Sequence, residues 1–163
     1  MKRILLLSGF LIILFSACKK QTFNDTRQAT IDDLKIQAYI KANKLDFIKD
    51  PSGIYYKIES TSTGPRPTAT DTVRVSYTGS LLNGTVFQPI STSNLPLPGV
   101  IKGFQIGVPL IGTTGFAPFA RIKLIIPSAL GYGSASQTDG NGAVTIPANS
   151  VLYFTVDLLG IYN

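Results

Sequence analysis

No histidine occurs among the 163 residues of this chain, and cysteine appears once. The first absence excludes a histidine general base, a Ser-His-Asp or Cys-His catalytic pair and any histidine metal site. The second excludes intrachain disulfides and cysteine-rich zinc sites. Acidic residues are sparse too, nine against fifteen Lys and Arg, and they are scattered. No Gly-x-Ser-x-Gly elbow, phosphate-binding glycine loop or carboxylate cluster is present. No internal repeat is visible, which argues against a solenoid or propeller. The chemistry left to such a chain is that of an apolar pocket with a few polar atoms, suited to a neutral, hydrophobic ligand.

What is present is apolar sequence in regular patterns. With 44% hydrophobic and 15% charged residues, the composition is that of a globular protein. The length fits one domain whose core needs no disulfide. The formal charge of +6 includes Lys2 and Arg3 at the very start, and the other basic residues are dispersed, so they read as solvated surface and not as a nucleic-acid footprint. Met1-Lys2-Arg3, an almost wholly apolar run over residues 4–15, and Phe15-Ser16-Ala17-Cys18 form an export signal. Its end resembles the lipobox of bacterial lipoproteins, with Phe15 where leucine is usual. The apolar run falls short of the about 20 residues that a spanning helix needs. The resemblance implies a signal peptide over residues 1–17 and a lipid on Cys18. It also implies a lipid-anchored place in the cell envelope, on the outer membrane and facing the periplasm.

Residues 18–50 read as a tether followed by a helix. The tether is the polar stretch 19–26. The helix spans about residues 30–43, with Ile31, Leu34, Ala38 and Ala42 at spacings of three and four. Asp32 and Asp33 fall near its positive N-terminal end, and Ile36, Tyr39 and Ile40 broaden its apolar side. A helix this short is marginal alone and is expected to pack on the domain that follows.

From Gly53 the period becomes that of strands. Ile54, Tyr56 and Ile58 alternate with Tyr55, Lys57 and Glu59, and Val73, Val75 and Tyr77 share one face opposite Arg74, Ser76 and Thr78. Residues 61–70, with Gly64, Pro65 and Pro67, form a loop. Asn83-Gly84 between apolar stretches marks a hairpin that returns Phe87 beside the Tyr77 strand. Residues 89–99 read as a long irregular segment. Residues 100–108 form a short helix limited by Pro109, and residues 120–127 form a strand with Ile122, Leu124 and Ile126 on one face. Residues 151–159, apolar on both faces, form a central strand. Asp139-Gly140-Asn141-Gly142 is turn chemistry. The fold class is α+β.

Four separated motifs stand in order: Val73-Arg74-Val75-Ser76-Tyr77-Thr78-Gly79, Val100-Ile101-Lys102-Gly103-Phe104, Gly131-Tyr132-Gly133, and the run from Ile146 through Val151 to Leu159. Together they resemble the FKBP-type peptidyl-prolyl isomerases over roughly residues 53 to 163. The resemblance implies an FKBP-like domain over 51–163, an antiparallel sheet wrapped around one short helix, with the N-terminal helix as an extension. It implies cis/trans isomerisation of X-Pro bonds in exported polypeptides, no cofactor, no metal, no nucleic acid, macrolide ligands and a monomer. Residue by residue, Phe104 takes the place of the tryptophan that floors the family's pocket, and Tyr77, Phe87 and Phe154 match its wall aromatics. Val100 and Ile101 match the start of the helix, where the Ile101 N–H holds a substrate carbonyl. Tyr132 matches the tyrosine whose hydroxyl bonds the substrate amide, and Ile146 matches a contact on a flap loop, here about residues 134–145.

Singly, Tyr77, Val100 and Phe154 also read as plain core residues. Gln88 stands where active members carry an aspartate, and Leu95 replaces another pocket phenylalanine. Residues 112–119 are longer than the tight connection expected there, with Phe116 and Phe119 as an apolar tip suited to a partner or client. Two alternatives share these features: an FKBP-like binding or chaperone module with weak or no catalysis, and a structural envelope lipoprotein.

Overall fold

The computed structural model describes residues 14–113 and 115–162, with side chains from Asp25 onward. The start of the signal segment and the side chain of Cys18 lie outside the described residues. A long helix, α1 (Leu14–Ala42), opens the described chain. The strands follow as β1 (Ile48–Lys49), β2 (Tyr55–Ser60), β3 (Thr72–Leu81), β4 (Val86–Pro96), β5 (Ala120–Ile126), β6 (Gln137–Thr138), β7 (Val144–Ile146) and β8 (Leu152–Tyr162). The short helix α2 (Lys102–Gly107) lies between β4 and β5. Six strands form one antiparallel sheet in the order β1-β2-β5-β8-β3-β4, and β6 and β7 form a separate hairpin. The expected α+β class and the central place of the last strand both hold.

The sheet has helices on both sides. Against one face packs α2, where Val73, Val75, Ile122, Leu124, Ile126, Leu152, Val156 and Leu158 are fully buried around Phe104 and Val108. The close approach of α2 requires glycine, because a Cβ at Gly103 would overlap Ile126 and one at Gly107 would overlap Leu124. Pro109 ends α2 as expected, in a single 3-10 turn over Val108–Leu110. On the other face α1 seals a smaller cluster of Ile36, Tyr55, Ile125 and Val151.

Three expectations are corrected. First, the helix begins well before residue 30, and α1 already includes residues 19–26. No glycine or proline interrupts residues 14–42, and i,i+4 bonds such as Gln28 to Asp32 and Gln37 to Asp33 brace the helix. Asp32 and Asp33 therefore sit well inside the helix and not at its positive end. Second, the buried stripe of α1 is Asp32, Ile36, Tyr39 and Ile40, while Leu34 is 62% exposed and Ile31, Ala38 and Ala42 face solvent. Both stripes have helical spacing, and only docking on the sheet selects one. Third, residues 89–96 are not irregular but continue β4, paired with β3 from Tyr77 opposite Ser91 to Thr72 opposite Pro96. Pro89 and Pro96 are tolerated because β4 is an edge strand, where a missing N–H costs no ladder bond. The flap region is likewise partly ordered, as the β6-β7 hairpin.

Candidate active site

A cavity of about 240 Å³ opens between α2 and the β3, β4 and β8 strands. Its lining is Tyr77, Leu95, Gly99, Val100, Ile101, Phe104, Tyr132 and Phe154. The aromatic side chains arrive from different elements. Tyr77 continues the inward series of β3 beyond Val73 and Val75, Phe154 lies on the inward face of β8, and Phe104 is on the buried side of α2. Leu95 comes from β4, which explains why this wall is straight where the sequence suggested a loop.

The rings set one another. Phe104 and Phe154 meet at 4.7 Å between centroids and 83° between planes, Tyr77 and Phe104 at 5.7 Å and 75°, and Phe87 and Phe154 at 5.6 Å and 79°. These edge-to-face contacts are favourable beyond the area they bury, and they make the pocket floor and the core the same surface. Phe154 is thus a core residue and Tyr77 packs against the core, while both line the cavity. Gly79 makes this possible: a Cβ there would come within 2.6 Å of Phe87 and 2.7 Å of Phe154. Gly79 and Gly99 were not singled out in the sequence. An isolated glycine inside a strand pattern was the available signal for Gly79.

Two residues of the lining, Ile101 and Tyr132, carry polar groups that are unpaired among the described residues. The carbonyl of Ile101 accepts from the N–H groups of Phe104 and Gln105, at 3.0 and 3.3 Å, and the Gln105 amide clamps the Val100 carbonyl at 2.8 Å. The Ile101 N–H has no partner among the described residues. Tyr132 is 37% exposed and its hydroxyl makes no hydrogen bond there either. Partial burial, with the Tyr77 hydroxyl close by, raises its pKa above the ordinary 10.0, so the phenol stays protonated and able to donate. Gly133, with φ +61, turns the chain directly after Tyr132 through a conformation that side chains disfavour.

The structure does not bring every expected residue into the lining. Phe87 stands behind Phe154, half-buried, and supports it. Ile146 ends β7 and is buried in the main core. Gln88 turns to its own strand, donating to the Pro89 carbonyl at 3.1 Å and to Ser91 Oγ at 3.2 Å. Phe116 is 68% exposed, as an apolar tip should be, while Phe119 is half-buried. Among the described residues no group of His, Cys, Asp or Glu side chains is arranged to hold a metal.

The site is thus an aromatic cavity inside an α+β domain, with two donors that are unpaired among the described residues. The family model of FKBP-type peptidyl-prolyl cis-trans isomerases matches residues 64–159, and the chain belongs to that family. It is 38% identical to the isomerase FkpA of Aeromonas hydrophila over 141 residues, which is 83% of this chain and 48% of that protein. It is 30% identical over 150 residues to the outer membrane protein MIP of Legionella longbeachae, covering 87% of this chain and 59% of that one. The crystal structure of FkpA from Escherichia coli superposes with a TM-score of 0.65 at 28% identity, covering 91% of this chain and 68% of that chain. The chain spans about half the length of the curated relatives it matches, 48% and 58% for two of them.

Proposed function

We propose that this chain is a peptidyl-prolyl cis/trans isomerase that assists the folding of proline-containing exported proteins in the cell envelope. The observation that carries this reading is the pairing of a buried aromatic floor with two unpaired donors, the Ile101 N–H and the Tyr132 hydroxyl. Amide resonance sets a barrier of about 18 to 20 kcal/mol, and uncatalysed X-Pro exchange takes roughly tens to hundreds of seconds. Neither a nucleophile nor a base is needed to lower it. The proline ring rests on Phe104 among Tyr77, Leu95, Val100 and Phe154. The substrate carbonyl bonds the Ile101 N–H, and the Tyr132 hydroxyl bonds the amide. Withdrawal from water favours the twisted amide, because solvation favours the polar planar form. A preference of about 5 kcal/mol for the twisted over the planar amide gives acceleration of roughly a few thousandfold.

Phe87 and Ile146 serve this site from behind, Phe87 by holding Phe154 and Ile146 by fixing the base of the β6-β7 hairpin. Gln88 acts through the strand: its bond to Ser91 holds the ladder at the residue opposite Tyr77. Gln88→Asp places a carboxylate on β4 opposite Gly79 and is expected to raise kcat/KM about threefold, the ratio given by roughly 0.65 kcal/mol. Cys18 carries the lipid, and no helix among the described residues is long and apolar enough to cross a membrane. Cys18→Ser is expected to move the protein from the membrane pellet to the soluble fraction. The name of the Legionella longbeachae relative, an outer membrane protein, supports an envelope location.

A protease-coupled refolding assay on a tetrapeptide containing Phe-Pro, with the full chain in detergent, tests the activity. Acceleration that saturates with peptide is expected. A rate equal to the uncatalysed one, from protein that is folded, removes the isomerase reading.

A further inference from the structure

Among the described residues one carboxylate is wholly buried, and it lies outside the pocket. Asp32, on α1, is 0% exposed and sits beside Ser128, which is 1% exposed. Its Oδ2 accepts from the Ser128 hydroxyl at 2.6 Å and from the Ser128 N–H at 2.9 Å, and its Oδ1 accepts from the Gln28 amide at 2.8 Å. Withdrawing a carboxylate from water is costly unless such donors replace it. For docking a helix alone, an apolar side chain would serve at less cost.

The far side of Ser128 shows what the arrangement holds. The Ser128 carbonyl accepts two N–H groups, from Gly131 at 2.9 Å and from Gly133 at 2.8 Å. These are the residues on either side of Tyr132. The Gly133 carbonyl in turn accepts from the Asn149 N–H at 2.8 Å, three residues beyond the end of β7. A continuous set of hydrogen bonds thus runs from α1, on the sheet face away from the pocket, to the backbone that carries Tyr132 and to the base of the flap hairpin.

We propose that Asp32 is a positioning residue for Tyr132: by holding Ser128 it sets the Gly131-Tyr132-Gly133 backbone, and with it the aim of the phenol, from the opposite face of the sheet. This rests on the isomerase reading of the pocket. It makes α1 a part of the catalytic apparatus without any contact between α1 and substrate.

A double-mutant cycle in the full chain tests it. Asp32→Ala is expected to lower kcat/KM about fourfold in the parent, no more than loss of the Tyr132 hydroxyl itself, and less than about 1.5-fold in a Tyr132→Phe background, because residues that act through one another are not additive. Amide exchange should quicken at Gly131 and Gly133 and stay unchanged at Val75 and Val156 in the sheet. The same fold-loss in both backgrounds, or unchanged exchange at the two glycines, overturns the proposal. Should Asp32→Ala fail to fold, Ser128→Ala, which keeps the N–H and the carbonyl, carries the same cycle with an expected loss of about threefold. If the parent itself proves inactive, the isomerase reading fails, and glycine exchange alone decides whether Asp32 holds the loop.

Discussion

On the face of the sheet that meets α2, Val73, Val75, Ile122, Leu124, Val156 and Leu158 are fully buried and continue without a break into the pocket floor. On the face that meets α1, burial stops at Tyr55, Ile125, Val151 and Ile36. The remainder carries ion pairs: Arg121 to Asp157 at 2.6 Å, Lys123 to Glu59, Lys57 to Asp46, and Lys49 to Asp33. The same strands supply both faces, since Arg121 and Lys123 alternate with Ile122 and Leu124. The difference teaches where each task lies. Dry packing on one side forms the core and the floor of the cavity. The charged side holds α1 and keeps the surface soluble, and exposed pairs of this kind add little stability.

The largest expected effect separates the faces by truncation. Phe154→Ala should lower unfolding free energy by about 3 to 5 kcal/mol, since it empties a site shared by core and pocket. Ile36→Ala, whose neighbours Tyr39, Ile40 and Tyr153 are half-exposed, should cost about 2 to 3 kcal/mol, because such a site collapses more readily. Denaturant titration of both measures the gap. Equal losses would show that the two faces contribute alike.

A smaller effect lies within the pocket face. Tyr132→Phe removes one hydroxyl and should reduce kcat/KM by about 1 kcal/mol, roughly fivefold. Its melting temperature should match the parent, because the hydroxyl bonds nothing in the described structure. A lower melting temperature with an unchanged rate would move Tyr132 from chemistry to packing.

The smallest effect on the rate, and the sharpest contrast, is with pH. No histidine is present and Tyr132 is held above 10.0, so kcat/KM should be flat between about pH 6 and pH 9. A bell centred there would reveal a titrating group at work. Stability should respond outside that window, through the other face. Hydrogen bonds from Lys49 and then Tyr55 lower the pKa of Asp33 below 3.8. That contribution is complete above 3.8 and is lost as pH falls through the lower folded value. Burial, with Tyr39 and Glu59 nearby, pushes Tyr153 from 10.0 up to about 12. Its contribution is complete below 10.0 and is lost as pH rises towards 12. Melting temperature against pH, beside the rate against pH, checks both halves.

Much of the site was legible because its residues lie in strands with strict alternation. Tyr77 follows Val73 and Val75 at intervals of two, and that alone turns it inward. Tyr132, flanked by Gly131 and Gly133, stood out through its motif. Gln88 was harder, because one residue of slippage between β3 and β4 redirects its side chain. The ladder shifts between Tyr77 and Gly79, and Gln88 bonds to Ser91 and Pro89 in consequence. Asp32 was read as a helix-end charge, since nothing local tells that Ser128, 96 residues away, will arrive beside it.

By itself the sequence determined strands β2, β3, β5 and β8, the hairpin at Asn83-Gly84, the short reach of α2 and the exclusion of histidine catalysis, intrachain disulfides and His or Cys-rich metal sites. Each follows from periodicity, turn geometry or composition, which act over a few residues. Only the tertiary structure decided which stripe of α1 is buried, that residues 89–96 join an edge strand, that Gly79 must yield its space to Phe87 and Phe154, and that Asp32 reaches the backbone beside Tyr132. Those outcomes depend on which surfaces meet, and contact energies between distant segments outweigh the weak local preferences that left the alternatives open.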